Sequence, residues 1–419
     1  MMRPAPIGTL SRVWRFGLCA ALCWPVLSCG GGGGGGGSSA SIAPGSSTPT
    51  GSNVVDVVVD AGPTSTSPDV NTLFTTVTVC VPGSTTSCQT IDHIQVDTAS
   101  FGLRILAPVL TLSLPVQTTA NGASLLECTQ FVDGYSWGPV ASADVQISGE
   151  SASSVPVQVI GDAKFTSVPA NCSSIGPAED TVATFGANGI LGVGVFAQDC
   201  GGGCVTTVDN GVYYACTSAQ CQATTAVLAS QVPNPVTLFA KDNNGVVIQL
   251  PSVAAAGAAT VTGSLVFGID TQTNNKSGSQ SVLTLDSTDG DFTTVFNGQP
   301  PLTQSFLDTG SNGYFFNDTG LQQCTNANFA KFYCPASPQN FSAVLQGQNA
   351  VSATVSFIVD DAETLGANDP SLVAFPTLAG TYPTSNSFDW GLPFYYGRTV
   401  YTAIENAATA VGTGPYVAF

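Results

Sequence analysis

Residues Gln304–Phe316, QSFLDTGSNGYFF, set one carboxylate, Asp308, between a short apolar strand and a Thr-Gly-Ser turn. The stretch has a counterpart far upstream. At Asp92–Leu106, DHIQVDTASFGLRIL, a second aspartate, Asp97, again follows an apolar run and again precedes Thr, a small residue and Ser. One Asp-Thr-Gly in a chain rich in those residues is a strand-end turn met by chance. Two copies in matching strand context, one in each half, predict two similar β lobes that each deliver an aspartate to a shared cleft.

Composition agrees with a β protein. The 419 residues include 46 Gly and 26 Pro, Val and Thr are abundant, and only 9% of residues are charged. Residues of that kind favour strands and turns over helices. The 27 acidic against 9 basic residues leave a net charge of −18, which argues against a nucleic-acid partner, since phosphate binding needs clustered Lys or Arg. The acidity serves solubility or an acidic working environment. The single histidine, His93, leaves most catalytic zinc sites without enough ligands, and no nucleophile-elbow sequence accompanies it to make a serine triad; a strand histidine in or beside the core is the reading we adopt. No metal and no cofactor is expected.

Residues 1–28 read as an export signal, with Arg3, Arg12 and Arg15 ahead of the apolar run Phe16–Leu27, which is too short to span a bilayer. Val26-Leu27-Ser28-Cys29 resembles the bacterial lipobox, which implies acylation of Cys29 as the mature N-terminus; the alternative is an ordinary cleaved signal. By the same resemblance, the lack of Asp after Cys29 points to the outer membrane. Residues 29–53, opening with Gly30–Gly37, form a Gly/Ser/Pro-rich tether with too few apolar side chains to fold. The N-terminal β lobe is expected over 54–271 and the C-terminal one over 272–419, divided at the polar run Thr271–Gln280. Strands are predicted at Asn53–Asp60, Leu73–Val81, Thr90–Val96, Ala187–Val195, Val246–Leu250, Gly263–Asp270, Gln280–Asp286, Phe292–Phe296 and Thr399–Glu405, with a hairpin in Ser124–Gly149 and one short helix over Thr225–Val232.

With the signal cysteines Cys19 and Cys23 and the anchor Cys29 set aside, ten of 13 remain, an even number that implies disulfides in an exported chain. Cys80–Cys88 and Cys324–Cys334 are the local pairs, and Cys128–Cys172 a longer one. Cys200, Cys204, Cys216 and Cys221 make either two disulfides or a four-thiolate zinc site; an oxidising compartment favours disulfides.

The order of these features resembles the pepsin-like aspartic peptidases, whose two related β lobes each contribute an Asp-Thr-Gly loop. VTVCVPGSTTSCQTIDHIQVDTAS resembles that family's hairpin into its first aspartate, ANGILGVGV its apolar-apolar-Gly motif, GSLVFGID the strand closing the first lobe, and NGQPPLTQSFLDTGS and FDWGLPFYYGRTVYTAIE the matching parts of the second, across about residues 54–419. A bacterial group of exported lipoproteins of unassigned function shares this pattern. The resemblance implies a mostly β, two-lobed fold with a central cleft and a few short helices. It implies a catalytic pair, Asp97 and Asp308, acting on an extended peptide or protein substrate in a monomer. Ser100 and Ser311 would hydrogen-bond the outer carboxylate oxygens, Thr98 and Thr309 would bridge to the opposite loop, Gly310 completes the second motif, and Gly192 and Gly391 would pack beneath the loops. Two departures stand out. Ala99 replaces the family's first-motif glycine, and no tyrosine falls at the flap position, where Phe131 aligns and Tyr135 or Trp137 is an alternative. A catalytically idle relative that binds a peptide or cell-envelope component is therefore the second reading.

Overall fold

Two strand-turn-strand units built on one plan carry the fold. The computed structural model describes residues 49–63, 69–217 and 220–419. The expected signal segment, Cys19, Cys23, Cys29 and the tether up to residue 48 lie outside the described residues. The chain is mostly β with a few short helices.

In the first unit, Cys88–Asp97 runs into the Asp97 turn and Phe101–Leu106 leaves it. Gly189–Val193 lies between these two arms, parallel to the incoming strand over Ile94–Asp97 and antiparallel to the outgoing one over Phe101–Ile105. The second unit repeats this: Ser387–Trp390 lies parallel to Leu302–Leu307 and antiparallel to Tyr314–Phe316, on either side of the Asp308 turn. Continuous apolar runs such as Ile-Leu-Gly-Val suit strands buried on both faces, and all five residues of Gly189–Val193 are buried.

Among the described residues, one sheet has fifteen strands and another seven. The hairpin strands Ser124–Gln130 and Tyr135–Ile147 belong to the larger sheet, which also continues from Val54–Val59 through Val261–Phe267 and Gly245–Gln249 to Thr399–Ala403 and Tyr416–Ala418. Strands from both ends of the chain thus share one ladder. Aliphatic side chains, Val96, Leu103, Ile105 and Leu191, surround the first unit. The second is built on aromatic rings, with Phe388 stacked on Trp390 at 4.0 Å and on Phe316 at 4.6 Å.

The ten described cysteines pair as Cys80–Cys88, Cys128–Cys172, Cys200–Cys204, Cys216–Cys221 and Cys324–Cys334, so the four-cysteine cluster is two disulfides. The helix expected over Thr225–Val232 is only a 3-10 turn at Leu228–Ser230. Val227 and Leu228 are exposed there, so no apolar face is available to stabilise a longer helix. A helix not foreseen from the sequence occupies Ala362–Asn368, where Asp361 accepts a capping hydrogen bond from Thr364 N at 2.8 Å.

Candidate active site

The two aspartate turns meet through reciprocal bonds between their threonines. Thr98 Oγ1 donates to Leu307 O at 3.1 Å, and Thr309 Oγ1 donates to Val96 O at 2.8 Å. Each hydroxyl also accepts the backbone N–H of the other threonine, at 3.1 and 3.2 Å. Because Thr98 has already committed its hydrogen to Leu307, the buried Tyr395 hydroxyl 2.9 Å away must donate to it. Gln95 Nε2 adds a bond to Gly310 O at 3.1 Å.

Within each turn the carboxylate is held by the backbone two residues on: Ala99 N donates to Asp97 Oδ1 at 2.7 Å, and Gly310 N to Asp308 Oδ1 at 2.6 Å. Beneath the turns, a methyl group on Gly192 would lie 2.4 Å from Phe101 N, and one on Gly391 2.2 Å from Gly313 O. Neither position has room for a side chain. Ala99 does not take a positive φ, so its methyl group imposes no left-handed strain; it packs half-buried against the apolar cluster of Phe306, Phe315 and Phe375.

Asp97 and Asp308 are both fully buried, and their carboxyls lie within hydrogen-bonding reach of each other. Burial raises the pKa of each, and the neighbouring charge raises that of Asp308 further. The two turns are not equivalent around these groups. Ser311 Oγ lies 2.8 Å from Asp308 Oδ2. Ser100 sits close enough to Asp97 to lower its proton affinity, but its buried Oγ makes no well-formed hydrogen bond. Ser311 Oγ also lies 2.6 Å from Asp389 Oδ2, a third buried acid that the sequence reading did not single out. Its position inside the apolar run FDWGLPF concealed it, although an acid there is itself the signal.

The expected flap aromatics pack inward. Phe131 is buried in the cluster of Phe74, Leu106 and Ile190, with its ring edge to Phe185 at 6.2 Å. Trp137 stands against Tyr214 at 5.2 Å and donates from Nε1 to Phe165 O. Tyr135 is half-buried, with its backbone N–H on Pro177 O. The hairpin residue that joins the cluster holding Ala99 is Val132, which the sequence offered no reason to choose. A second cover comes from Asn71. It donates to Asn312 O and Phe375 O and accepts from Phe375 N and Tyr396 Oη, laying a segment of the N-terminal half beside the Asp308 turn.

His93 lies 3.4 Å from both Asp60 and Asp92 and edge-on to Phe74, a strand histidine with local partners. A separate buried group stands behind the Asp97 turn, where Arg104 pairs with Glu127 at 2.5 Å and Asp199 at 3.6 Å, and Tyr213 donates to Asp199. The one grouping with metal-ligand spacing among the described residues, Cys324, Cys334 and Glu363, has its two sulfurs in a disulfide and offers no thiolate.

Among solved structures, an aspartic proteinase from Irpex lacteus is similar to this chain at 15% identity, with a TM-score of 0.48, covering 87% of this chain and 96% of that one. No curated protein matches the chain. A family model described as a protein of unknown function, DUF3443, matches residues 49–419. The chain belongs to that family.

Proposed function

We propose that this protein is an aspartic endopeptidase that hydrolyses peptide bonds in extended substrates. The observation that carries the reading is the reciprocal threonine bonding, which holds two buried carboxyls face to face. Two such groups cannot both ionise cheaply, so they hold one proton between them and titrate as a unit. The ionised member takes a proton from an attacking water while the protonated member donates to the substrate carbonyl, and no acyl-enzyme is needed. Both side-chain polar atoms of Asn312, next to Ser311 in the second turn, are buried without a hydrogen-bond partner. A water and a peptide backbone would satisfy them.

Digestion of an unfolded protein between about pH 3 and 6 is the test, since general acid-base pairs give a bell-shaped profile and contribute 10²–10⁴-fold, here about 10³-fold. Asp97→Asn and Asp308→Asn should each abolish cleavage to about that extent; wild-type rates in either variant would refute the assignment.

A second reading has its own observation. Both aspartates are fully buried, and Val132 joins the hairpin to the apolar cluster around Phe306. A site closed in this way suits an idle descendant that binds a peptide or cell-envelope component; tight peptide binding without turnover at any pH supports it. Export, acylation of Cys29 and a monomeric state complete the proposal. No helix among the described residues is long and apolar enough to cross a membrane. The lipobox-like run Val26-Leu27-Ser28-Cys29 is what supports a lipid anchor. Loss of fatty-acid labelling and of membrane retention in Cys29→Ala is the expected result.

A further inference from the structure

Ser311 has one hydroxyl hydrogen, yet its oxygen lies 2.8 Å from Asp308 Oδ2 and 2.6 Å from Asp389 Oδ2. Two ionised carboxylates are acceptors only, so one of the two acids must supply the second hydrogen. If Asp308 supplied it, that proton would face the serine and be withdrawn from the pair with Asp97. If Asp389 supplies it, Ser311 donates to Asp308, and the shared proton stays between Asp308 and Asp97.

The surroundings favour the second arrangement. Asp389 is fully buried, and its Oδ1 has no hydrogen-bond partner. The titratable groups facing it are Asp97, Asp308 across the serine, and the buried Tyr382 and Tyr395, with Asp291 beyond Tyr382. None is cationic, so an ionised Asp389 would have no counter-charge. The device exists on one side only. Asp389 precedes Gly391 by two residues and pairs with Phe306, and the residue at the same register in the first unit, paired with Gln95 two before Gly192, is the apolar Ile190.

We propose that Asp389 is a positioning residue, a third carboxyl that stays protonated while the site works and donates to Ser311, committing the serine hydrogen to Asp308 Oδ2. The proposal rests on the peptidase reading and adds a limit to it. When Asp389 ionises, the Ser311 hydrogen turns toward it and Asp308 loses a donor. The high-pH limb of cleavage therefore reports Asp389. Burial, which raises the Asp389 pKa, agrees with a protonated state in the acid range.

The test uses the full chain with Asp389→Asn, which keeps an N–H donor at every pH, and Asp389→Leu, patterned on Ile190, in case the amide does not fold. In both, the high-pH limb of kcat/KM should move upward by about one pH unit or more. A purely structural role would lower stability and leave the limb in place, and coincident limbs overturn the proposal. A second readout needs no cleavage. An acid whose folded pKa lies above its unfolded value stabilises the fold at low pH, and that stability is lost as pH rises through the folded pKa. The urea midpoint should therefore fall less steeply between about pH 4 and 8 in the variants than in wild type. A shallower fall in a protein that cleaves nothing sinks the peptidase reading and keeps Asp389 protonated. Equal slopes sink the Asp389 assignment even where cleavage is present.

Discussion

The Asp97 and Asp308 turns are near-copies in backbone and unlike in surroundings. Each holds its carboxylate by the N–H two residues on, each sends a threonine into the other, and each rests on a glycine with no room for a methyl group. The strands that carry Asp97 pack through the aliphatic Val96, Leu103, Ile105 and Leu191, Ile190 fills the position matching Asp389, and Ser100 makes no well-formed hydrogen bond. Around Asp308 the walls are aromatic, and Ser311, Asp389, Asp291 and Tyr382 form an acidic shell. The difference separates two duties. Duplicated backbone brings the carboxyls together, whereas a third buried acid, Asp389, stands on the Asp308 side alone.

The largest expected effect probes that acidic shell. Burial, with Asp289 and Asp286 nearby, raises the Asp291 pKa to about 7. Its folded pKa exceeds the unfolded one, so its stabilisation is complete below about pH 4 and lost as pH rises through 7, a change of up to about 4 kcal/mol. Chemical unfolding of Asp291→Asn from pH 4 to 8 should show a correspondingly flatter stability curve; identical curves would remove Asp291 from the comparison. A smaller effect tests the symmetric part. Thr98→Val and Thr309→Val each leave buried backbone groups unmatched, and each should lower stability by about 3 kcal/mol. A loss confined to one of the two would show that the bonding is not reciprocal in energy. Ala99→Gly should change least. With no positive φ to relieve, removing the methyl group costs about 1 kcal/mol through backbone freedom and lost packing. A gain in stability would mean that alanine is strained there.

Much of this was legible in the sequence because it is written in local pattern. Apolar runs ending in Asp-Thr, glycines at a buried strand and short cysteine spacings announce the two turns, the central strands and disulfides such as Cys80–Cys88 and Cys324–Cys334. What escaped depends on contacts between distant segments. Asp389 reads as one polar residue in an apolar strand until Ser311 is seen beside it. The inward packing of Phe131 follows from Phe185 and Ile190, which no spacing within the hairpin discloses. The Ala99 question turned on a single dihedral, invisible to composition. The buried Arg104–Glu127–Asp199 group is likewise assembled from three separate stretches.

The ladder that joins Val54–Val59, Val261–Phe267, Gly245–Gln249, Thr399–Ala403 and Tyr416–Ala418 has a mechanical meaning. Backbone bonds across it would have to break for the halves to swing apart like a clam, and such bonds yield together rather than singly. On the peptidase reading proposed above, a long guest chain would enter past the hairpin tip at Val132, because Asn71 is fully buried and pinned to Asn312, Phe375 and Tyr396. Loosening that tip would then set the pace of turnover without touching either aspartate.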